Sequence, residues 1–342
     1  MTLAKNIKKL LKTGGKNKII NRGNQCYINS ILQCLFNCVD LTSFFLSGEF
    51  EKDLHQYNHT KNIPSLQYAN ILRKYWENPH VLDIQKFIKC ITSPNYPYSK
   101  NNQEDSHESL LYILDILHES LKYPISISIE GNIISGTDIL YKNYLDTISL
   151  YYGENYSKII QLFYGMYYNI YKCTNCNYTV KKFEPYNTIY LPAPSDTCNI
   201  HDLFKNMCTK NSIVCSKCQQ EQCIKRVSLW TIPDNLIINF QRNDNTDSKT
   251  LINYPLNNLN LTPYISDKNG SSNNYIYDLY AINFYQLLSI DCGHYHSCCK
   301  TISGEWIYFN DNHVIKINDE TLLNRIINKN ACILMYKRKT QN

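Results

Sequence analysis

Asn21-Arg-Gly-Asn-Gln-Cys26-Tyr-Ile-Asn-Ser30, continuing as Ile31-Leu-Gln-Cys-Leu-Phe36, decides how this chain is read. A polar, glycine-containing turn passes into an apolar run. There Ile28, Ile31, Leu32, Leu35 and Phe36 recur at helical spacing, so Cys26 is expected in the first turn of a buried helix. Unpaired backbone N–H groups and the positive end of the helix dipole favour a thiolate at that point. An inert core cysteine is the competing reading. The choice rests on partners further along the chain.

The 342 residues are 43% hydrophobic and 19% charged, enough to bury a substantial core. Fifteen cysteines are an odd number. No apolar run resembles a signal peptide or is long enough to span a bilayer. Free thiols and metal ligands in a reducing compartment, cytoplasm or nucleus, explain the cysteines better than a disulfide framework does. The net charge of +6 is modest and implies no nucleic-acid partner. Part of it lies in Lys5, Lys8, Lys9, Lys12, Lys16 and Lys18, set around Ile7, Leu10 and Leu11. Residues 1–19 read as a solvated, partly helical basic tail. A short amphipathic helix touching a membrane or nucleic acid is the less favoured alternative.

Helices are expected over about 64–77 and 83–90, with Pro64 opening the first and Asn78-Pro79 closing it. Gln103-Glu-Asp105-Ser-His-Glu108 leads into a third, through Leu110 to Leu117. Asp105 and Glu108 share a face. A capped, solvated terminus and an acidic patch receiving a basic peptide explain them equally well. The first 120 residues thus read as helical. From about 121 short isoleucine- and tyrosine-rich pieces read as strands and turns. Residues 243–274 read as exposed connections, while Leu236–Phe240, Tyr277–Phe284 and Ala331–Tyr336 read as strands.

Cys173-Thr-Asn-Cys176 and Cys215-Ser-Lys-Cys218 form a matched pair of CxxC knuckles separated by strand-like sequence. Two such knuckles at hairpin tips close four thiolates around a tetrahedral zinc. A redox pair would instead open a helix after a strand, and simple core cysteines fit poorly with polar residues between them. Cys208 and Cys223 lie nearby as spare ligands. Four thiolates leave no position for water, so the zinc is expected to be structural, holding an extended arm together. A nucleic-acid-binding zinc protein would need a basic-aromatic stripe that this segment lacks.

His294, after a glycine, and Asn310, at the end of a strand-like run, are candidate partners for Cys26. An imidazole beside the thiol takes its proton and later protonates a leaving group, while the amide carbonyl holds the other ring nitrogen. Spacing alone leaves this no better than an ordinary surface or core histidine.

Here a resemblance enters. Asn21 to Gln33 resembles the Cys box of the ubiquitin-specific proteases, cysteine deubiquitinases of peptidase family C19. Gln103-Glu-Asp105-Ser-His-Glu108 resembles their glutamine-aspartate box. Tyr280-Ala-Ile, Gly293-His294-Tyr295 and Trp306-Ile-Tyr-Phe-Asn310-Asp311 resemble their His box. The blocks run in family order from about residue 19 to 338. The resemblance implies an α+β fold with a papain-like core: a helical thumb over about 20–120, a palm over about 121–164 and 244–342, and zinc-bearing fingers over about 165–243. It implies Cys26 as nucleophile, His294 as base and Asn310 as third member, with Asn21 stabilising the oxyanion and Asp311 in support. Asp105 and Glu108, with Gln103 and Tyr295, would receive the basic tail of ubiquitin. Cys173, Cys176, Cys215 and Cys218 would hold zinc, with no catalytic cofactor. Ubiquitin or polyubiquitin on target proteins is the implied partner, and a monomer the implied state.

Two departures stand out. Relatives often carry another histidine in a loop before Gly-His-Tyr, where this chain reads Asn283-Phe-Tyr-Gln-Leu-Leu-Ser-Ile. After Leu236-Ile-Ile it reads Asn239-Phe-Gln-Arg242 in place of the usual histidine and basic pair. Two alternatives remain on the same fold: a catalytically silent ubiquitin binder, and a hydrolase for another ubiquitin-like modifier.

Overall fold

The computed structural model describes residues 7, 9–11, 14–77, 81–92, 103–128, 130–207, 209–221, 223–242, 250–266, 275–289, 292–319 and 330–340. The named helices are α1 (Cys26–Phe36), α2 (Val39–Leu46), α3 (His59–Glu77), α4 (Gln85–Ile91), α5 (Ser106–Leu121), α6 (Gly136–Tyr152), α7 (Lys158–Phe163) and α8 (Ile200–Met207). The strands are β1 (Gly165–Cys173), β2 (Thr179–Tyr186), β3 (Thr188–Pro192), β4 (Cys198–Asn199), β5 (Thr209–Ile213), β6 (Cys223–Thr231) and β7 (Asn235–Gln241). They continue as β8 (Ile252–Asn253), β9 (Leu259–Asn260), β10 (Ile276–Ser289), β11 (Cys292–Lys300), β12 (Trp306–Asn310), β13 (His313–Ile317) and β14 (Ala331–Arg338). The fold is α+β and forms two compact units.

The first unit runs to Lys122 and includes Ser157–Leu162 and Leu279–Tyr336. Its centre is α1, all eleven residues of which are buried. The apolar stripe accounts for half of that burial. Its polar residues are internally bonded: Gln33 Nε2 donates to the Asn17 carbonyl at 2.9 Å, and Gln33 Oε1 accepts from the Tyr75 hydroxyl at 2.6 Å. At the helix end, Thr42 Oγ1 and Trp76 Nε1 both donate to the Phe36 carbonyl, at 2.8 and 3.2 Å. Phe36, Tyr68, Tyr75, Phe45 and Phe87 form the aromatic core beneath it. On its other side α1 packs against β11 and β12 of a sheet in which β13-β12-β11-β10 run antiparallel and β14 follows β10.

Three sequence expectations change in this unit. Helix α3 begins at His59, not at Pro64, because Asn58 caps it, its Oδ1 accepting from the Lys61 N–H at 3.3 Å. Asn78-Pro79, its expected end, lies outside the described residues. Residues 14–20 are built in rather than solvated. Tyr75 donates to the Gly15 carbonyl at 2.8 Å, Ile19 bridges Leu82, and Lys16 pairs with Glu305 at 2.5 Å. Tyr285 to Leu288, expected as a loop, continue the strand expected over Tyr277–Phe284 and lie in β10, with Asn283 opposite Ser297, Tyr285 opposite Tyr295 and Leu287 opposite Gly293.

The second unit contains Tyr123–Tyr156, Phe163–Asp278 and the residues from Lys337. Its main sheet is antiparallel, ordered β2-β1-β6-β5, and β3 pairs in parallel with β7. Helix α6 occupies a stretch expected as strands. Its tyrosines and isoleucines read as β-formers, but Ser135 and Asp138 form a capping box that nucleates the helix. Tyr141 and Tyr144 then pack on Trp230, with ring centroids 5.3 and 5.6 Å apart. Residues 250–266 are not merely exposed connections: Ile252, Tyr254, Leu259 and Leu261 are buried. The remainder of 243–274 lies outside the described residues. Among the described residues no single helix is long and apolar enough to cross a membrane.

Candidate active site

Local backbone geometry delivers Cys26 to the head of α1. Asn21 Oδ1 accepts from the N–H groups of Gly23 and Gln25 at 2.9 and 3.2 Å, closing a tight turn. Gly23 at φ 109° and Asn24 at φ 51° take the positive-φ conformations this turn needs. Cys26 follows as the first helical residue, with only 2% of its surface exposed. Beside it, Asn29, Tyr295, His296 and Asp311 help enclose a cavity of about 10 Å³, close to the space of one water.

His294 projects from β11 and Asn310 ends β12. His294 Nε2 lies 2.6 Å from Asn310 Oδ1. An amide oxygen only accepts, so Nε2 carries the hydrogen and Nδ1 is left as the basic nitrogen of the neutral ring. Asn310 Nδ2 is turned to the Tyr308 hydroxyl at 3.4 Å. The second ring partner of His294 is Cys26, and that hydrogen bond is the main cause of an imidazole pKa raised to about 9. Burial opposes the shift, while Asn310 and the Asp311 charge add to it. The arrangement therefore favours the protonated imidazolium of His294.

Asp311 sits in the left-handed region, at φ 48°. Its Oδ2 is 3.9 Å from His294 Nε2, and its Oδ1 accepts from Asn21 Nδ2 at 3.1 Å. Asn310, not Asp311, is therefore the ring's direct partner. His296, two residues along β11, is buried and stacks on Phe284 with centroids 5.0 Å apart. Burial and the charge of His294 push its pKa down to about 4, so it is no rival base.

The other sequence candidates gather at the N-terminus of α5. Asp105 is its N-cap, the carboxylate accepting from His107 and Glu108 N–H groups at 2.6 and 3.2 Å. Asp105 and Glu108 are both exposed on this opening turn. Gln103 grips the backbone of Gly293: Nε2 donates to its carbonyl at 2.6 Å, and Oε1 accepts from its N–H at 3.0 Å. Tyr295 brings its phenol oxygen to the Ser106 N–H. Burial and then the Asp105 charge push that phenol's pKa up.

Sequence reasoning missed Asn283. It is 1% exposed and joins four elements. Its Nδ2 donates to Ser30 Oγ on α1 at 2.7 Å, while Oδ1 accepts from Ser106 Oγ on α5 at 2.9 Å and from Cys332 Sγ on β14 at 3.0 Å. A polar residue in the apolar run Tyr280-Ala-Ile-Asn-Phe was the available signal.

In the second unit Cys173, Cys176, Cys215 and Cys218 bring their Sγ atoms within 4.8 Å of one another. The Cys173–Cys218 and Cys176–Cys215 separations are 3.6 and 3.7 Å. A tetrahedral zinc with bonds of about 2.3 Å sets its sulfurs about 3.8 Å apart, so the cluster fits structural zinc. The N–H groups of Cys176 and Lys217 point to Cys173 and Cys215 Sγ at 3.5 and 3.4 Å, favouring thiolates. Cys223 packs against the cluster, and Cys208 lies outside the described residues. Neither knuckle opens a helix, which sets the redox alternative aside. The segment between the knuckles is no simple extended arm. It contains β3 and α8, with Ile200, Leu203 and Phe204 buried, and the metal joins the ends of two hairpins.

Comparison with known proteins agrees with this geometry. A ubiquitin carboxyl-terminal hydrolase from Drosophila melanogaster, Usp2, is 29% identical, over 96% of this chain and 35% of that protein. Human ubiquitin carboxyl-terminal hydrolase 2 is 25% identical, over 93% of this chain and 54% of its own length. The chain thus spans about a third to a half of these relatives. In fold it is similar to a yeast SAGA DUBm (TM-score 0.72, 20% identity, 97% of this chain and 70% of that one). It is also similar to a SAGA DUB module solved with ubiquitin aldehyde (TM-score 0.70, 19% identity, 97% and 71%). The family model described as ubiquitin carboxyl-terminal hydrolase matches residues 17–336, and with nearly the whole chain inside that match, the protein belongs to this family, as one of its ubiquitin-specific proteases.

Proposed function

We propose that the chain is a thiol-dependent ubiquitinyl hydrolase that cleaves the isopeptide or peptide bond after the C-terminal glycine of ubiquitin. The observation that carries this is His294, bound on one side to Asn310 at 2.6 Å and on the other to Cys26. His294 Nδ1 takes the Cys26 proton, and the thiolate attacks the glycine carbonyl. Negative charge develops on the carbonyl oxygen, toward the Asn21 amide and the N–H groups at the head of α1. As the C–N bond breaks, the imidazolium returns its proton to the leaving lysine amine. Water, deprotonated by His294, then attacks the thioester and Cys26 leaves. Asp311 steadies both Asn21 and the imidazolium.

In this reading Asp105 and Glu108 receive the basic tail of ubiquitin, and Gln103 and Tyr295 border that path. The narrow space beside Cys26 favours a substrate ending in glycines. The helical segment over about 20–120 acts as thumb, 121–164 and 244–342 as palm and 165–243 as fingers, with residues 1–19 as an N-terminal extension. A cytoplasmic or nuclear setting is supported by the thirteen cysteines whose side chains are described, none of them in a disulfide, and a monomer is the state this reading assigns.

Ubiquitin bearing an electrophilic C-terminus tests this on wild type and Cys26→Ala. Adduct formation at Cys26 and turnover of a fluorogenic ubiquitin by wild type alone are expected. Binding of ubiquitin without adduct would establish a silent binder. Absence of binding, with reaction toward a related modifier, would change the substrate.

A further inference from the structure

The ladder between β11 and β12 covers only Ser297 to Lys300 of β11. Gly293 therefore lies beyond its reach, and so does His294. At this point the side chain of Gln103 supplies one donor and one acceptor to Gly293, as a neighbouring strand would. On the opposite flank of His294, the Tyr295 ring packs on Tyr285 with centroids 4.8 Å apart. The backbone immediately before His294 is thus tied to the opening of α5, two residues from Asp105.

We infer that Gln103 is a positioning residue for the catalytic base. Its two-bond grip on Gly293 fixes the backbone from which the His294 ring is aimed at Cys26, and it links that aim to the acidic helix terminus. The inference rests on the reading of His294 as base, and it differs from a role for Gln103 in touching substrate. Gly293 has little freedom to compensate once the grip is lost. The Tyr285 ring lies 2.2 Å from where a Cβ on it would stand, so one side of this backbone is already closed. The groups facing the His294 ring are Cys26 on α1, Asn310 and Asp311 at the end of β12, and His296 on its own strand, with centroids 6.2 Å apart.

Gln103 is exposed, so its replacement should leave the fold intact. The test is the rate of Cys26 alkylation by iodoacetamide against pH, in the full chain without ubiquitin, for wild type, Gln103→Ala and Gln103→Glu. Loss of aim is expected to slow alkylation at neutral pH about 10-fold in Gln103→Ala, and to move the alkaline inflection downward from its wild-type position. Gln103→Glu keeps the acceptor for the Gly293 N–H and loses the donor, so it should fall between the two. If both variants alkylate like wild type with an unmoved profile, the inference is overturned. A rise in KM for ubiquitin substrates alone would then assign Gln103 to substrate contact. Because the reagent is not ubiquitin, failure of the substrate assignment would leave this result intact.

Discussion

The carboxylate of Asp311 accepts a hydrogen bond from the side chain of Asn21 at 3.1 Å, although 290 positions separate the two in sequence. One Nδ2 hydrogen is used in that bond, and in the proposed mechanism the other faces the developing negative charge. The expected consequence is coupling. Asn21→Ala and Asp311→Asn should each lower kcat about 10-fold to 100-fold with KM little changed, and the double variant should lose less than the product of the two. Steady-state kinetics on all four proteins checks this. Additive losses would mean that the two residues act independently.

His294 sets the pH behaviour. Its pKa is raised to about 9, so the imidazolium persists across neutral pH and is lost as pH rises through that value. The stabilisation it gives the fold follows the same sign: full below the ordinary imidazole value, declining toward pH 9. The kcat/KM profile should therefore show an alkaline limb near 9. Asn310→Ala removes one cause of the shift and should move the limb downward, while lowering kcat about 100-fold. A limb unchanged in this variant would contradict the assignment of Asn310 as ring partner.

The cysteine cluster predicts about one zinc per chain. Cys215→Ser should reduce metal content in elemental analysis and lower the denaturation midpoint, since the two hairpin ends lose their common tie. Equal zinc in the variant and wild type would exclude Cys215 as a ligand.

Asn283 predicts a stability effect. Asn283→Leu removes the buried side-chain partner of Ser30 and Ser106, and should cost about 2–3 kcal/mol in urea unfolding. A neutral result would show that the hydroxyls find other partners.

Gly15 offers an independent measure of the N-terminal strap. It has φ 77°, and a Cβ there would stand 2.5 Å from the Trp76 ring. Gly15→Ala should destabilise by about 2 kcal/mol or more. Unchanged stability would show that the strap adds nothing to the fold.

Much of this was legible in advance because short-range rules governed it. The spacing of Ile28 to Phe36 announced α1, and Asp105 announced the start of α5. The CxxC pairs announced the cluster through ligand chemistry. What escaped depended on tertiary context. The tyrosines and isoleucines of α6 have strand propensity, and only the Ser135–Asp138 box opposed it. Gly14 and Gly15 fall in the stretch read as a solvated tail, where nothing local reveals Trp76 against them. Asn283 lay in an expected strand, but nothing local reveals its partners on α1, α5 and β14. Gln103 was read through a family motif as a substrate contact, and its two bonds to Gly293, 190 positions away, had no local signal.

Cys26 and His294 lie 268 positions apart (294 − 26), with Asn310 later still. During synthesis the helix that carries Cys26 emerges well before β11 and β12. Until then the thiol lacks its base, and its helix lacks the strands that bury it. In the proposed enzyme, proteolytic competence thus waits for β11 and β12. A fragment truncated before β11 keeps the whole Cys box, yet it carries an unassisted cysteine with ordinary thiol reactivity.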